Sequence, residues 1–301
     1  MPVPNRDYVG RFAPSPSGPL HFGSLVCALA SFLDAKCNGG SWRVRIEDID
    51  PPREDPKHSA TILAQLIDHG LQWDGEIVYQ SQFLKDYQRV LDRLQTRHLT
   101  YACQCNRKRI TQLGGAYDGH CDALDLAGSN RAIRLRVRQA IAPCTITIED
   151  QVMGHHYQDL LREVGDFVLR RRDGLYSYQL ASVVDDHRQG ITHIVRGSDL
   201  LSSTPRQRYL QECLGYSAPA YAHLPLAVDL YGNKLSKQNH AAPLNHASPS
   251  KTLWQALAWL QQDPPKTLLG APVEHLIAWA TANWSLARIP NVSQKPSPTD
   301  T

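Results

Sequence analysis

Two short segments of the sequence carry residue types that bind polyphosphates. The turn PSPSGPLHFGS, residues 14–24, contains Gly23, which allows a ligand close to the backbone, and His21, which can donate a hydrogen bond to a phosphate oxygen. The later segment KLSK places Lys234 and Lys237 on either side of a serine, where both ammonium groups can close on one anion. Each segment alone is also typical of an exposed turn, but together they predict a polyphosphate site.

Three charged side chains at predicted strand ends match the needs of an amino acid with a second carboxylate. Arg11 and Arg196 can each bind one carboxylate, and Glu47 can bind the ammonium group. Tyr178 can add a hydroxyl. Ligands of an open parallel sheet bind beyond the carboxyl ends of its strands, so we expect these side chains to meet there. Ordinary surface salt bridges are the alternative interpretation.

Three of the seven cysteines are close together in the sequence and indicate a metal site. One residue separates Cys103 from Cys105, and Cys121 follows after fifteen more. Thiolates suit Zn²⁺, and a structural zinc site requires four ligands. From chemistry alone His120 is the usual kind of fourth ligand and Tyr117 an uncommon one. The alternative is three free thiols in a reducing compartment; an odd cysteine count without a secretory signal does not favour disulfides.

The elements that must position these side chains begin with a strand, a helix and a second strand. Residues 7–13 are typical of a short strand, and after the turn Leu25 and Leu29 belong to an apolar set at helical spacing. Residues 41–50, SWRVRIEDID, are typical of a strand that ends in acids. This series predicts an α/β fold with a doubly wound parallel sheet. Residues 100–175 become β-rich and predict an inserted module.

The composition excludes several classes of protein. The chain has 301 residues, 42% hydrophobic and 20% charged, which excludes a disordered or collagen-like chain. Its apolar stretches fall far short of the roughly 20 residues that span a bilayer, and its first residues lack a signal-peptide pattern. We therefore expect no membrane association and a cytoplasmic location. The net charge of +3 does not require nucleic-acid binding, although Arg134, Arg136 and Arg138 alternate along a predicted strand as one basic face.

Five blocks of the sequence, in order, resemble the glutamyl-tRNA synthetases of class I. They are GRFAPSPSGPLHFGSL, RVRIEDIDPPR, LQWDGEIVYQS, YSYQLASVVDDHRQGITHIVRGSDLL and GNKLSK, and the matching region extends from residue 8 to about residue 240. The forms FGS, IEDIDPPR, CQC and KLSKQNHA are similar to those of one subfamily, the glutamyl-Q tRNA(Asp) synthetases. Full-length glutamyl-tRNA synthetases continue with a large anticodon-reading domain, for which the 64 residues after Lys237 are too few.

The resemblance implies an enzyme, a ligase that uses ATP and Mg²⁺ to convert L-glutamate to glutamyl-adenylate. The glutamate then goes to the queuosine base at the wobble position of aspartate tRNA. The partners are therefore ATP, L-glutamate and queuosine-containing tRNA(Asp), and no protein partner is implied.

The resemblance also implies roles for particular residues. The implied catalytic residues are His21 and Lys237. The implied ATP-binding residues are His21, Gly23, Lys234 and Lys237. The implied glutamate-binding residues are Arg11, Phe12, Ala13, Pro14, Ser15, Glu47, Tyr178 and Arg196. The implied ligands of one structural Zn²⁺ are Cys103, Cys105, Cys121 and, in preference to His120, Tyr117.

We therefore expect a Rossmann-type doubly wound parallel sheet with an inserted zinc-containing module and a short helical C-terminal region. The expected units are the first half of the catalytic domain (1–100), the inserted module that contacts tRNA (101–174), the second half with the lysine loop (175–240), a short helical region (241–289) and a disordered tail (290–301).

Three other functions are compatible with parts of the sequence. A truncated glutamyl-tRNA synthetase would charge glutamate tRNA, but the short C-terminal part disfavours it. A non-catalytic synthetase paralogue that binds RNA would be expected to lose the ATP-site residues, which are present. A relative of the cysteine ligases is disfavoured because two strand-end arginines fit a dicarboxylate better.

Overall fold

The computed structural model describes residues 8–126, 130–137, 144–229, 231–235, 244 and 248–298. Two residues singled out above, Lys237 and Arg138, lie outside these described residues.

Strands and helices alternate along most of the described chain. The strands in these ranges are β1 (Val9–Phe12), β2 (Ser41–Ile46), β3 (Val78–Tyr79), β4 (Thr100–Cys103), β5 (Ala132–Leu135), β6 (Thr145–Asp150), β7 (Gly154–Asp159), β8 (Phe167–Arg170), β9 (His193–Gly197), β10 (Ala220–Leu224), β11 (Leu226–Val228) and β12 (Gln294–Pro296). The α-helices are α1 (Phe22–Cys37), α2 (Pro56–Asp68), α3 (Leu84–Thr96), α4 (Arg107–Gln112), α5 (Leu160–Glu163), α6 (Tyr178–Arg188), α7 (Thr204–Leu214), α8 (Pro249–Trp259) and α9 (Val273–Asn283). Within the described ranges, every helix is too short or too polar to cross a bilayer.

The central sheet is parallel, which confirms the predicted α/β fold. Strand β2 pairs in parallel with both β1 and β3, and β10 pairs in parallel with both β9 and β6. The two groups meet where the Thr192 N–H donates to the Val9 carbonyl at 2.9 Å, beside β1 and β9. The sheet order is therefore β3-β2-β1-β9-β10-β6, with β7 added antiparallel at the edge. The carboxyl ends of these six parallel strands consequently lie along one edge.

Helix α1 and strand β2 form the centre of the larger core. The helix is buried on almost every side, because Leu25, Leu29 and Leu33 belong to an apolar set that recurs at each turn. Trp42 on β2 is fully buried, with its ring centroid 5.3 Å from that of Phe32, and its indole N–H donates to a serine hydroxyl at 2.9 Å. A large rigid side chain therefore joins the first helix to the sheet.

The β-rich segment does not form one separate unit. Strands β4, β5 and β8 make an antiparallel sheet of their own, but β6 pairs with β10 in the central sheet. The hairpin of β6 and β7, residues 145–159, is thus part of the central sheet, although the sequence assigned it to the insert. Pairing between strands that are distant in the chain is not visible in local alternation.

The prediction of a disordered tail over residues 290–301 is wrong for residues 290–298. Strand β12 pairs in parallel with β11, and Ser297 beyond it is only 2% exposed. The Trp259 indole N–H donates to the Pro296 carbonyl at 2.7 Å, and the Ser297 N–H donates to the Val228 carbonyl at 2.8 Å. The partners of the tail are remote in sequence and therefore cannot be seen in its local composition. That polar composition, taken alone, suggested disorder.

We expect Trp42→Ala to lower the free energy of unfolding by about 3–5 kcal/mol, because it leaves a cavity between α1 and the sheet. Urea unfolding at neutral pH measures the change. The control is Tyr231→Ala: Tyr231 is 90% exposed, and we expect a change within about 0.5 kcal/mol. Similar losses in the two variants would contradict the packing role of Trp42.

Candidate active site

The guanidinium group of Arg196 lies at the carboxyl end of β9 and is surrounded by neutral acceptors. Its side chain is 5% exposed. Nε–H donates to His223 Nε2 at 3.1 Å, Nη1 to the Tyr178 hydroxyl at 3.2 Å, and Nη2 to Thr204 Oγ1 at 2.6 Å and Gln207 Oε1 at 2.8 Å. Among the residues that the structure describes, no carboxylate lies within ion-pair distance of this group. A buried cation with neutral neighbours favours an anionic ligand.

Arg11 and Arg45 are, in contrast, neutralised within the protein. Asp186 Oδ1 accepts from Arg11 Nε at 3.3 Å and from Arg45 Nη1 at 2.8 Å. Although burial raises the pKa of Asp186, the charges of Arg45, Arg11 and Arg196 outweigh it and lower that pKa. The carboxylate therefore stays ionised and holds the two guanidinium groups together.

Glu47 follows β2 and joins the same charged group. Its Oε1 accepts from Arg45 Nη2 at 3.3 Å, and its backbone N–H donates to the Pro14 carbonyl at 3.0 Å. Burial raises the pKa of this carboxyl in spite of the nearby Arg45 and Arg11. A ligand ammonium group would compensate the cost of keeping Glu47 ionised. Arg11, Glu47, Arg196 and Tyr178 thus lie along one edge of the sheet.

The acids of helix α6 are buried members of this charged group that the sequence analysis did not single out. Asp185 Oδ2 accepts from the Tyr87 hydroxyl at 2.7 Å and from Gln80 Nε2 at 2.8 Å. Its neighbour Asp186 bridges Arg11 and Arg45, as described above. Two adjacent acids that directly follow an apolar pair in a helix, VVDD, are a signal that could have identified buried carboxylates.

The turn after β1 brings backbone and imidazole groups to the start of α1. Phe12 and Pro14 are buried, Ala13 is half-buried and Ser15 is exposed. His21 is the N-cap of α1, and its Nδ1 accepts from the Ser24 N–H at 3.3 Å. This places the ring hydrogen on Nε2, a donor suited to a phosphate oxygen.

Gly23 lies in close packing with the turn and with a neighbouring strand. A Cβ atom there would lie 3.3 Å from the His21 ring and 3.4 Å from the Ala227 methyl group. Strand β11, which contains Ala227, therefore abuts the turn that carries His21.

Of the two predicted lysines, the structure describes Lys234. Its ammonium group forms an ion pair with Asp199, which follows β9. Lys234 is thus close to the strand that carries Arg196. The position of the second predicted lysine, Lys237, lies outside the described residues.

The predicted metal ligands form a compact cluster. The three sulfur atoms of Cys103, Cys105 and Cys121 lie within 4.8 Å of one another, and the Tyr117 hydroxyl is 3.4 Å from the sulfurs of both Cys103 and Cys105. His120 is exposed and is not part of this group. Although burial raises the pKa of the Cys103 thiol, hydrogen bonds from Tyr117 and Arg134 lower it to about 7, which favours a thiolate.

The predicted basic face of β5 is wrong for Arg134. This residue is 8% exposed, its guanidinium lies 3.8 Å from the Tyr117 ring centroid, and its Nε–H donates to Cys103 Sγ at 3.2 Å. Arg136 is paired with Asp122 at 2.6 Å. Alternation showed that the two arginines share a face, but not that the cysteine cluster covers part of it.

The parallel sheet, the His21 turn and the buried arginines match one class of enzyme. Residues 8–248 match the family "tRNA synthetases class I (E and Q), catalytic domain". A glutamate tRNA ligase from Elizabethkingia meningosepticum, solved in complex with its amino acid, superposes with a TM-score of 0.79 at 23% identity, over 97% of this chain and 67% of that one. The glutamate-tRNA synthetase of Elizabethkingia anophelis gives 0.78 at 24% identity, over 97% and 68%. These two structures share the fold.

Relatives with higher sequence identity show which family of class I synthetases contains this chain. The glutamyl-Q tRNA(Asp) synthetase of Pseudomonas fluorescens is 51% identical over 289 residues, 96% of each chain. That of Klebsiella pneumoniae is 49% identical over 290 residues, 96% of this chain and 98% of its own. The chain therefore belongs to the glutamyl-Q tRNA(Asp) synthetase family, within the class I synthetases, and the resemblance drawn from the sequence is confirmed.

We expect Asp186→Asn to lower the free energy of unfolding by about 3 kcal/mol, because two buried guanidinium groups lose the carboxylate they share. Urea unfolding at neutral pH measures the loss. The matched control is Glu149→Gln, since Glu149 is 77% exposed and pairs with His155 at the surface; we expect less than about 1 kcal/mol there. Equal losses would show that Asp186 does not stabilise the buried cluster.

Proposed function

We propose that the protein activates L-glutamate with ATP and transfers the glutamate to the queuosine base of aspartate tRNA. The relatives named above support this substrate set, since glutamyl-Q tRNA(Asp) synthetases match at about 50% identity over 96–98% of their length. The observation that carries the amino-acid half of the proposal is Arg196, a buried guanidinium whose described protein partners are all neutral.

The charges around Arg196 fit a dicarboxylic amino acid. Arg196 would bind one carboxylate of glutamate together with the Tyr178 hydroxyl, and Glu47 would bind the ammonium group. Arg11, held against Asp186 at 3.3 Å, would contribute its remaining donors to the second carboxylate. Backbone groups of residues 11–15 would line the same edge. An amino acid without a second carboxylate would leave the remaining donors of Arg11 without a ligand acceptor.

In the first step, the α-carboxylate of glutamate attacks the α-phosphorus of ATP, and pyrophosphate leaves. Negative charge accumulates on the phosphate oxygens, so the protein contributes mainly positioning and electrostatic stabilisation. His21 Nε2–H and the first amides of α1, near Gly23, would donate to these oxygens. Lys234 and Lys237 would neutralise the departing pyrophosphate. Mg²⁺, bound with ATP, supplies further charge neutralisation.

In the second step, a hydroxyl of the queuosine ring attacks the carbonyl carbon of glutamyl-adenylate. An ester forms, AMP leaves, and the hydroxyl proton is released. The anticodon arm must therefore reach the edge of the sheet that holds Arg196 and His21.

We further propose that the cysteine cluster holds one structural Zn²⁺. Tetrahedral zinc with bonds of about 2.3 Å to sulfur separates its sulfur ligands by about 3.8 Å. The 3.4 Å separation of Cys105 and Cys121 sulfurs and the adjacent Tyr117 hydroxyl are compatible with this geometry. Cys103, Cys105, Cys121 and Tyr117 would hold the ion, which would stabilise the antiparallel sheet of β4, β5 and β8.

We expect labelled glutamate, with ATP and Mg²⁺, to be transferred to queuosine-containing aspartate tRNA and not to the same tRNA without queuosine. Glutamate tRNA, assayed in parallel, should remain unlabelled. Label on glutamate tRNA alone would make the protein a short conventional synthetase. Absence of label on every RNA, with no pyrophosphate exchange, would favour the non-catalytic alternative.

The same assay includes Lys237→Ala, for which we expect pyrophosphate exchange to slow by about 100-fold or more, because the positive charge that would stabilise the departing pyrophosphate is lost. The control is Lys251→Ala, an exposed lysine of α8, which should retain the full rate.

We expect zinc in a ratio of about one per chain, and loss of most of it in Tyr117→Phe, because three thiolates leave one zinc position to solvent. Elemental analysis of the purified protein measures the content, and a chelator should lower the thermal unfolding midpoint. The control is His120→Ala, which should keep its zinc. Retention in Tyr117→Phe together with loss in His120→Ala would reverse the assignment of the fourth ligand.

A further inference from the structure

A buried chain of hydrogen bonds leads from Arg196 away from the substrate edge. His223 and Asp150 have fully buried side chains. His223 Nε2 accepts from Arg196 Nε–H at 3.1 Å, and His223 Nδ1 lies 2.5 Å from Asp150 Oδ2. Asp150 ends β6 and His223 lies near the end of β10, so adjacent parallel strands bring them together.

The donors in this chain determine which nitrogen of His223 carries the hydrogen. Nε2 faces the Arg196 Nε–H at 3.1 Å and must therefore accept. Thr204 Oγ1 lies 3.0 Å from the same nitrogen. Nδ1 faces a carboxylate and must donate. The pKa of His223 is lowered, because the effect of burial exceeds the opposing effect of Asp150. The imidazole is therefore neutral, with its one hydrogen on Nδ1.

Asp150 is itself firmly held. Its Oδ1 accepts from the backbone N–H groups of Val152 at 3.0 Å, Met153 at 2.8 Å and His223 at 3.0 Å. Although burial raises the pKa of Asp150, its hydrogen bonds with His223 and Met153 lower it. The carboxylate is thus a fixed anion whose second oxygen is directed to the imidazole.

This series of hydrogen bonds also determines which N–H donors of Arg196 remain for a ligand. A guanidinium has five N–H donors. Nε–H is taken by His223, and Nη2 by Thr204 and Gln207, while Nη1 has the Tyr178 hydroxyl as its one acceptor among the described residues. A rotated guanidinium would present different hydrogens to the site.

We propose that His223 and Asp150 are positioning residues of the amino-acid site: Asp150 fixes the tautomer of His223, and His223 fixes the rotation of the guanidinium that receives a substrate carboxylate. This inference rests on the proposed activation of glutamate and adds two residues that do not touch the substrate. It assigns the carboxyl end of β6 to the amino-acid site.

Pyrophosphate exchange, measured with glutamate and ATP varied separately, tests the inference. We expect His223→Leu to raise the glutamate KM by at least about tenfold, the effect of one lost hydrogen bond to a charged group. The ATP KM and kcat should stay within about twofold, because the guanidinium positions the amino acid only.

His223→Gln provides a conservative rescue. Its amide nitrogen can donate to Asp150 while its carbonyl oxygen accepts from Arg196, so the glutamate KM should be at least about threefold lower than in His223→Leu. Asp150→Asn should raise the glutamate KM as well, because an amide does not fix the tautomer. Asp150→Asn preserves the size of the side chain and therefore tests the inference even if His223→Leu does not fold.

The matched control is His69→Leu, a fully buried histidine at the end of α2, which should lower stability without changing the glutamate KM. Rises in the KM of ATP and glutamate together, or no recovery in His223→Gln, would mean that the pair only supports the fold, and would overturn the inference. An unchanged glutamate KM in Asp150→Asn and His223→Leu would overturn it while leaving the proposed function intact. Absence of exchange in the unaltered protein would overturn both.

Discussion

The burial of guanidinium groups at the carboxyl edge of the parallel sheet is the constraint on which the site depends. Removing such a charge from water costs several kcal/mol unless a partner compensates it. Arg11 and Arg45 share Asp186, whereas the described partners of Arg196 are neutral. The protein therefore pairs two arginines with its own carboxylate, whereas the described partners of the third carry no charge. In the function proposed above, Arg196 is the group whose charge a substrate carboxylate compensates.

Local sequence patterns predicted most elements of the fold, but not all of their pairings. Strands β1 (Val9–Phe12) and β2 (Ser41–Ile46) lie within the predicted residues 7–13 and 41–50, because the composition of a strand is a local signal. Strand β12 was missed, since its stability comes from hydrogen bonds with β11 and with Trp259. Strand β6 was assigned to the insert because its alternation cannot show which sheet it joins.

The candidate site was predictable to a similar degree. Arg11, Glu47 and Arg196 follow from one rule, that charged residues at the carboxyl ends of parallel strands face the ligand, and the structure brings them together. The residues that orient them were not predictable in this way. Asp186 and His223 acquire their roles only when helix α6 and strand β10 bring them against arginines more than 20 residues away in sequence.

Residues that the sequence assigned to the insert are connected to the surroundings of Arg196. Strand β6 leaves it and ends at Asp150, which contacts His223; strand β8 leaves it and leads to α6, which begins with Tyr178, a partner of Arg196. The cysteine cluster is linked to the start of β8, because Arg134 donates both to Cys103 and to the Asp166 carbonyl just before that strand. The cluster and Tyr178 are thus connected through β8, which begins directly after Asp166 and is followed along the chain by α6. A metal there would stabilise both the insert and the start of α6, and so the position of the Tyr178 hydroxyl.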